Sequence, residues 1–261
     1  MARIAALQMK VACGDVAANL ARIATAAAEA KAAGADLLVL PELALTGYGA
    51  DAALAGMAEP VDGPQVTRLR AISRETGVAI IAGFAERDGE TVYNSAVYVD
   101  GDGPATVYRK SHLYGDYERG HFVPGQPAAI VFSHRGLSCG MLICYDVEFP
   151  ENVRRLAEAG VDAVLVPTAL PAGWSGSVIA DVMIATRAFE NQVLVAYVNH
   201  CGADPLFTFA GQSRVAAPDG TILAKGPASG ESLMVFDYDP ADYAVSRAEN
   251  AYLRDLVRAP A

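Results

Sequence analysis

Charge is scarce in this 261-residue chain: Asp, Glu, Lys and Arg supply 19% of it, while apolar residues reach 52%. That balance excludes a disordered chain, which needs low hydrophobicity and high charge. Only 20 lysines and arginines stand against 30 aspartates and glutamates, a net charge of −10, and no basic cluster interrupts the sequence. Nucleic acid is therefore not expected as a partner, because its binding rests on neutralising phosphates. Cysteine is sparse: Cys13, Cys139, Cys144 and Cys201 form neither a CxxC pair nor a dense framework. Free thiols in a reducing cytoplasm are the expectation. His112, His121, His134 and His200 show no HExxH and no zinc spacing, so no metal site is expected. No apolar run approaches the ~18 residues of a membrane span. Asp36, Glu42 and Pro167 break the longest candidates, and Arg3 and Gln8 interrupt Met1–Met9, which reads as a first strand and not a signal peptide.

Strands and helices alternate in what remains. Ala2–Met9 reads as a strand, and Asp15 caps a helix that runs to Ala33 with Gly34 as its stop. Leu37–Leu40 is a short buried strand, and a helix from Pro64 ends at Gly77. Strands follow at Val78–Ala85, Val92–Val99, Ala105–Arg109, Ile130–Phe132 and Ser138–Ile143, then a helix from Pro150 to Gly160. A strand at Ala163–Val166 and a helix over Gly176–Glu190 lead to strands at Val193–Asn199, Arg214–Ala217, Thr221–Ala224 and Leu233–Asp237. No linker appears, so residues 1–261 read as one domain of a size common for layered α/β folds. Residues from about 240 to 261 read as an extension used for packing or oligomer contacts.

One segment occurs twice. Ala33-Gly-Ala-Asp-Leu-Leu-Val-Leu-Pro41 returns as Ala159-Gly-Val-Asp-Ala-Val-Leu-Val-Pro167. Each copy is a helix end, a Gly stop, an Asp, a buried strand and a Pro, and each leads to a further helix, an apolar strand and a hairpin. Two such halves suggest two α/β layers packed sheet against sheet with helices outside.

The residues able to carry chemistry sit at strand ends. Cys144 closes Ser138-Cys-Gly-Met-Leu-Ile-Cys144 before a turn into the helix at Pro150. A thiol on such a turn projects into a cleft beside free backbone N–H groups, which suits acyl transfer. Strand alternation sets Gly140, Leu142 and Cys144 on one face and Cys139 on the other, where it reads as a small core residue. Taken alone, Cys144 could be the same. Glu42 follows Leu37-Leu-Val-Leu-Pro41, where partial burial would lift a carboxylate toward a general base's range. Lys110 follows Ala105–Arg109, and a cation there would favour a thiolate and a developing oxyanion. Arg109 should face away. Glu118 lies in the aromatic loop Tyr114–Phe122, where it would orient Lys110 or face water.

Together, Pro41-Glu42-Leu-Ala-Leu-Thr-Gly-Tyr48, Tyr108-Arg-Lys110-Ser-His-Leu113 and Gly140-Met-Leu-Ile-Cys144-Tyr-Asp-Val-Glu-Phe-Pro-Glu151 resemble the nitrilase superfamily of carbon–nitrogen hydrolases. The likeness runs from Ile4 to about Asp237. It implies Glu42 as general base, Lys110 as transition-state cation, Cys144 as nucleophile and Glu118 as the family's second glutamate. The backbone N–H of Tyr145 would share the oxyanion with Lys110. The implied fold is a four-layer αββα sandwich, assembled as dimers or larger oligomers through outer helices, and no cofactor is required. A papain-like pairing of Cys144 with His112 or His121 lacks a recognisable Asn or Asp partner.

The branch is read from neighbouring positions. The superfamily divides among nitriles, aliphatic amides, ω-amides of dicarboxylates, N-carbamoyl amines and acyl transfer to lipoprotein. Carboxylate-binding branches place arginine just past the cysteine or after the strand ending at Pro167. Here those places hold Glu148 and Thr168-Ala-Leu-Pro-Ala-Gly-Trp174. The pattern looks most like amidases that cleave small amides to acid and ammonia. Glu148 would repel an anionic acyl tail and favour neutral or cationic ones. Tyr48, Tyr117, Tyr145 and Trp174 are the expected pocket walls. Nitrilase, ω-amidase and N-carbamoyl amine hydrolysis are the alternatives within the superfamily. A catalytically dead binding protein would be expected to lose Glu, Lys or Cys, and all three stand.

Overall fold

The computed structural model describes residues 1–257. Two six-stranded mixed sheets face each other. The first contains β1 (Ala2–Gln8), β2 (Leu37–Val39), β3 (Ala79–Asp88), β4 (Thr91–Val99), β5 (Thr106–Arg109) and β12 (Ser232–Tyr238), in the order β12-β1-β2-β3-β4-β5. The second runs β6-β7-β8-β9-β10-β11, with β6 (Val131–His134), β7 (Leu137–Met141), β8 (Ala163–Thr168), β9 (Leu194–Asn199), β10 (Arg214–Ala216) and β11 (Ile222–Lys225).

Alternation of side chains decides the layers. Along β1 and β2, Ile4, Ala6, Leu37 and Val39 enter the core between the sheets. Ala5, Leu7 and Leu38 face outward onto α1 (Val16–Ala32) and α3 (Pro64–Thr76), meeting Ile23, Ala27, Leu69 and Ile72. Both faces are buried, as the near-continuous apolar runs require. Each full burial of a Leu or Ile side chain contributes about 1.5–3 kcal/mol. On the second sheet, α5 (Pro150–Glu158) and α7 (Ile184–Asn191) cover the outer face through Val153, Leu156, Ile184 and Ala188. This is the expected αββα sandwich.

The repeated segment has a structural counterpart. β1, β2 and β3 are parallel in turn, and β4 and β5 return antiparallel; β7, β8, β9, β10 and β11 do the same. Gly34 and Gly160 stop their helices at φ 80° and 82°, a conformation that costs glycine little. Asp36 N–H then donates to Arg3 and Asp162 N–H to Ser138, across 2.9 and 2.7 Å.

Some elements differ from expectation. The strand before Cys144 ends at Met141 and not Ile143, so alternation no longer assigns the faces of Leu142 and Cys144. The segment Tyr114–Phe122 is not a loop but holds helix α4 (Gly115–His121). The helix expected over 176–190 begins earlier, as α6 (Trp174–Val178), and passes through a π-turn at Ile179–Met183 before α7. Three short helices, α2 (Ala53–Met57), α8 (Ala244–Glu249) and α9 (Tyr252–Asp255), carry too few turns to show a period. Of the C-terminal extension, residues 258–261 lie outside the described residues; the rest docks on the second half, with Ser246 and Arg247 bonded to Gln192.

Candidate active site

Glu42, Lys110, Glu118 and Cys144 converge at the strand ends between the two sheets, and each is almost wholly buried. Glu42 sits just past β2 in a turn whose next residue, Leu43, has φ 48°. Gly83 on β3 permits that turn: a methyl there would stand 2.2 Å from the Leu43 nitrogen and 2.6 Å from Glu42 Cα. His200 fastens it from the other sheet, its Nε2–H donating to the Glu42 carbonyl at 2.5 Å. Burial lowers His200 to about 4, so the ring is neutral at physiological pH.

Lys110 extends from the end of β5, its N–H bonded to the Asn94 carbonyl at 2.8 Å. Its Nζ donates to Glu42 Oε1 at 2.7 Å and to Glu118 Oε1 at 2.6 Å. Burial alone would lower the ammonium's pKa, but the two carboxylates outweigh it and hold the group well above its ordinary value. Glu118, on α4, is fixed from three sides: Lys110, the Tyr48 hydroxyl at 2.7 Å and the Tyr114 N–H at 2.7 Å. Glu42 is held on one side only. Oε1 accepts from Lys110 and from Asn94 Nδ2 at 2.6 Å, while Oε2 is buried with no partner. Burial raises Glu42 to about 7 against the pull of Lys110.

Cys144 opens a 3₁₀ turn, Cys144–Glu148, with φ 42°. A non-glycine residue in that region is strained, and such strain gathers at functional sites. Burial and the charge of Glu42 push its thiol well up, while Lys110 and the Ala169 backbone oppose them. Among the described residues the Tyr145 N–H has no acceptor. Cys144, Tyr48, Glu118, Tyr145 and Glu148 line one cavity of about 120 Å³, closed by Leu170, Pro171 and Ile179. That is several times the room one water needs and small beside the ~300–1,000 Å³ of drug-sized sites. A more open groove of about 380 Å³, between α9 and Asn191–Val193, contains neither the thiol nor the lysine.

The other expected residues divide. Tyr145 and Glu148 line the cavity. Tyr117 stands behind the wall, its hydroxyl donating to the Tyr48 carbonyl at 2.7 Å. Trp174 is not a wall: it is 82% exposed at the start of α6, while Ser175 and Ile179 from the same helical run face the cavity. Arg109 faces away as expected and pairs with Glu86 and Asp88. Cys139 is core.

Two residues were not singled out by the sequence. The Tyr197 hydroxyl, wholly buried on β9, stands 3.9 Å from Cys144 Sγ, its one hydrogen-bond contact among the described residues. Nothing in an apolar strand marks one tyrosine as different. Asp146 accepts from the Tyr108 hydroxyl at 2.9 Å, the Ser111 hydroxyl at 2.8 Å and the His112 N–H at 2.9 Å. It thus ties the segment after Lys110 to the turn after Cys144. The Cys-Tyr-Asp run was its only signal.

The carbon–nitrogen hydrolase family model matches residues 3–248. A Pseudomonas protegens protein named "Hydrolase in pqqF 5'region" is 44% identical over 92% of this chain and 84% of its own. An (R)-stereoselective amidase of a Pseudomonas species is 38% identical over 93% of this chain and 86% of its own. An amidase from Nesterenkonia sp. AN1 superposes with a TM-score of 0.87 at 36% identity, covering 98% of this chain and 96% of that one. A variant of that amidase carries the acetamide moiety of fluoroacetamide on its active-site cysteine (TM-score 0.86, 35% identity, 97% and 93% covered).

Proposed function

Starting from a chain that belongs to the carbon–nitrogen hydrolase family, we propose that it is a thiol amidohydrolase of small linear amides. The observation that carries this reading is the asymmetry of Glu42: one oxygen is held by Lys110 and Asn94, and the other is buried, free and near neutrality in pKa. That is the state a general base needs.

Glu42 Oε2 takes the Cys144 proton as the sulfur adds to the amide carbonyl. The carbonyl oxygen becomes an oxyanion stabilised by Lys110 and the Tyr145 N–H. On collapse the C–N bond breaks, and Glu42 passes its proton to the leaving nitrogen, releasing ammonia and leaving a thioester. Glu42 then takes a proton from water; the hydroxide displaces the thiol, which recovers that proton as the carboxylic acid departs. Amide plus water yields acid plus ammonia, with no redox change and no cofactor. Glu118 acts through Lys110, holding the ammonium where the oxyanion forms.

The cavity's size favours a short acyl group, and the amidase names among its relatives favour an amide over a nitrile. No helix among the described residues is long and apolar enough to cross a membrane; the free thiols of all four cysteines are what support the reading of a cytoplasmic enzyme. Both halves share the inter-sheet core, which supports one catalytic domain. Trp174, Val178 and Val182, exposed every fourth residue on the outer helical run, support assembly into homo-oligomers through this face.

The test is ammonia release from short amides and matching nitriles by wild type and Cys144→Ala. The variant should lose turnover while circular dichroism and melting stay near wild type. Undiminished turnover in Cys144→Ala would sink the mechanism; faster release from the nitrile would move the chain to the nitrilase branch.

A further inference from the structure

Glu148 closes the turn that begins at Cys144, and its backbone is pinned. Arg187 Nε donates to the Val147 carbonyl at 2.9 Å and Arg187 Nη2 to the Glu148 carbonyl at 2.6 Å. The carboxylate is left over. It lines the cavity that Cys144 lines, yet it accepts no hydrogen bond from any described residue.

The guanidinium groups that could neutralise it are engaged elsewhere. Arg154 donates to the Glu190 carbonyl, Arg155 to Asn152 Oδ1, and Arg187 also to the Glu190 carboxylate at 3.0 Å. The pairing with Arg154 or Arg155 that the sequence allowed does not occur. A half-buried carboxylate without a partner is costly to keep, and here burial raises it to about 7 while Lys110 and Arg187 draw it back. Apart from Ser175, the rest of the lining is aromatic and apolar, chiefly Tyr48, Tyr114, Tyr145, Leu170, Pro171 and Ile179. Aromatic faces tolerate a cation and offer nothing to an anion. Glu118, which also lines the cavity, shares a single lysine with the buried Glu42, so an acyl tail meets an excess of negative charge.

We propose that Glu148 is the receptor for an ammonium group on the acyl chain, and that the preferred substrates are short amides carrying a protonated amine. The inference rests on the amidase reading and names its substrate class. An ammonium brings the three donors and the charge that Glu148 lacks. A neutral tail leaves the carboxylate unpaired, and an anionic tail adds repulsion.

Three probes of matched length decide it: 3-aminopropanamide, its neutral isostere butyramide, and the succinic monoamide. Assays run at pH about 8, above Glu148 and below the ~10 of an alkylamine. Wild type should favour 3-aminopropanamide over butyramide at least tenfold in kcat/KM, with the monoamide poorest. Glu148→Gln should bring the first ratio to within about threefold of unity. The ratio compares two substrates on one enzyme, so any loss common to both cancels. The wild-type ratio needs no variant, so a poorly folding Glu148→Gln does not remove the test. Wild type that turns over butyramide as well as the amine, or the monoamide best, overturns the ammonium receptor and leaves the amidase standing. An amine preference that survives Glu148→Gln overturns the assignment to Glu148. Absence of ammonia from every amide, beside release from a nitrile or carbamoyl amine, overturns the amidase reading itself.

Discussion

The two halves of the molecule make the same turns and fill them differently. In the first half Pro41 is followed by Glu42; in the second, Pro167 is followed by Thr168. Past β5, the Lys110 N–H donates to the Asn94 carbonyl at 2.8 Å; past β11, the Gly226 N–H donates to the Ser213 carbonyl at 2.8 Å. Asn94 gives its side chain to Glu42, whereas Ser213 gives its hydroxyl to Gln8. The backbone bonding is repeated and the charges are not. The proposed nucleophile reverses the division. Cys144 follows β7 in the second half, and the matching place after β1 holds Met9, fully buried. In the proposed mechanism the acid–base groups thus come from one half and the thiol from the other, while both halves line the cavity. A strand end supplies a position for a functional group, and the side chain placed there decides whether it is used.

The sharpest way to break this comparison is Glu42→Gln. The first half should lose its base, with kcat/KM falling roughly 10³-fold, within the range for general acid–base groups. In wild type, activity should rise with pH through about 7, where Glu42 gives up its proton. Stability should move the opposite way. Burial lifts the group from 4.5 to about 7, so between those values the folded chain binds the proton that the unfolded chain has lost. Its contribution therefore falls as pH climbs through that window. Melting curves from pH 4 to 8 should flatten in Glu42→Gln; an unchanged slope would refute the assignment.

Glu118→Gln is the next largest. It weakens the hold on Lys110 and removes a charge that helps raise Glu42, and single-turnover acylation should slow roughly 10²-fold while substrate binding changes little. Wild-type rates would show that Lys110 needs only Glu42.

Tyr197→Phe sharpens the second half's share. It removes the hydroxyl beside Cys144 Sγ and keeps the ring in the core. Acylation should drop about tenfold, and alkylation of Cys144 should shift to higher pH, because a charged acceptor gains most from a donor. An unshifted alkylation profile would make Tyr197 packing alone.

The smallest effect belongs to Thr168→Val, at the counterpart of Glu42. The hydroxyl donates only to the Val166 carbonyl, two residues back. Activity should stay within about twofold and melting within a few degrees, as for a change that leaves one local hydrogen bond unmade. A hundredfold loss would mean the halves share the acid–base work.

The fold was legible because its signals are local and periodic. The Gly34 and Gly160 stops, the Pro64 start and the buried strands each lie within a few residues of what the sequence indicates. Glu42, Lys110 and Cys144 were legible as strand-end residues and through family likeness. What stayed hidden depends on distant partners. Tyr197 looks like any strand tyrosine until Cys144 is placed against it from 53 positions away. Glu118 reads as a loop residue because a seven-residue helix shows too little period. The chemistry of Trp174 marks it as a wall, but at the start of α6 it is Ser175 and Ile179 that turn inward.

Dissolved salt has little access to Lys110. Its Nζ lies between two carboxylates, and all three side chains are at most 1% exposed. Mobile ions weaken charge interactions by standing among them, over about 8–10 Å at ordinary ionic strength. Here the sandwich leaves them only the small cavity beside Cys144 and Glu118. Surface pairs such as Arg3 with Asp237 and Arg74 with Asp102 share their charges with the bath and weaken in brine. The lysine proposed to stabilise the oxyanion keeps most of its field in fresh water and in concentrated salt alike, so high ionic strength should loosen this protein's surface well before it alters the chemistry inside.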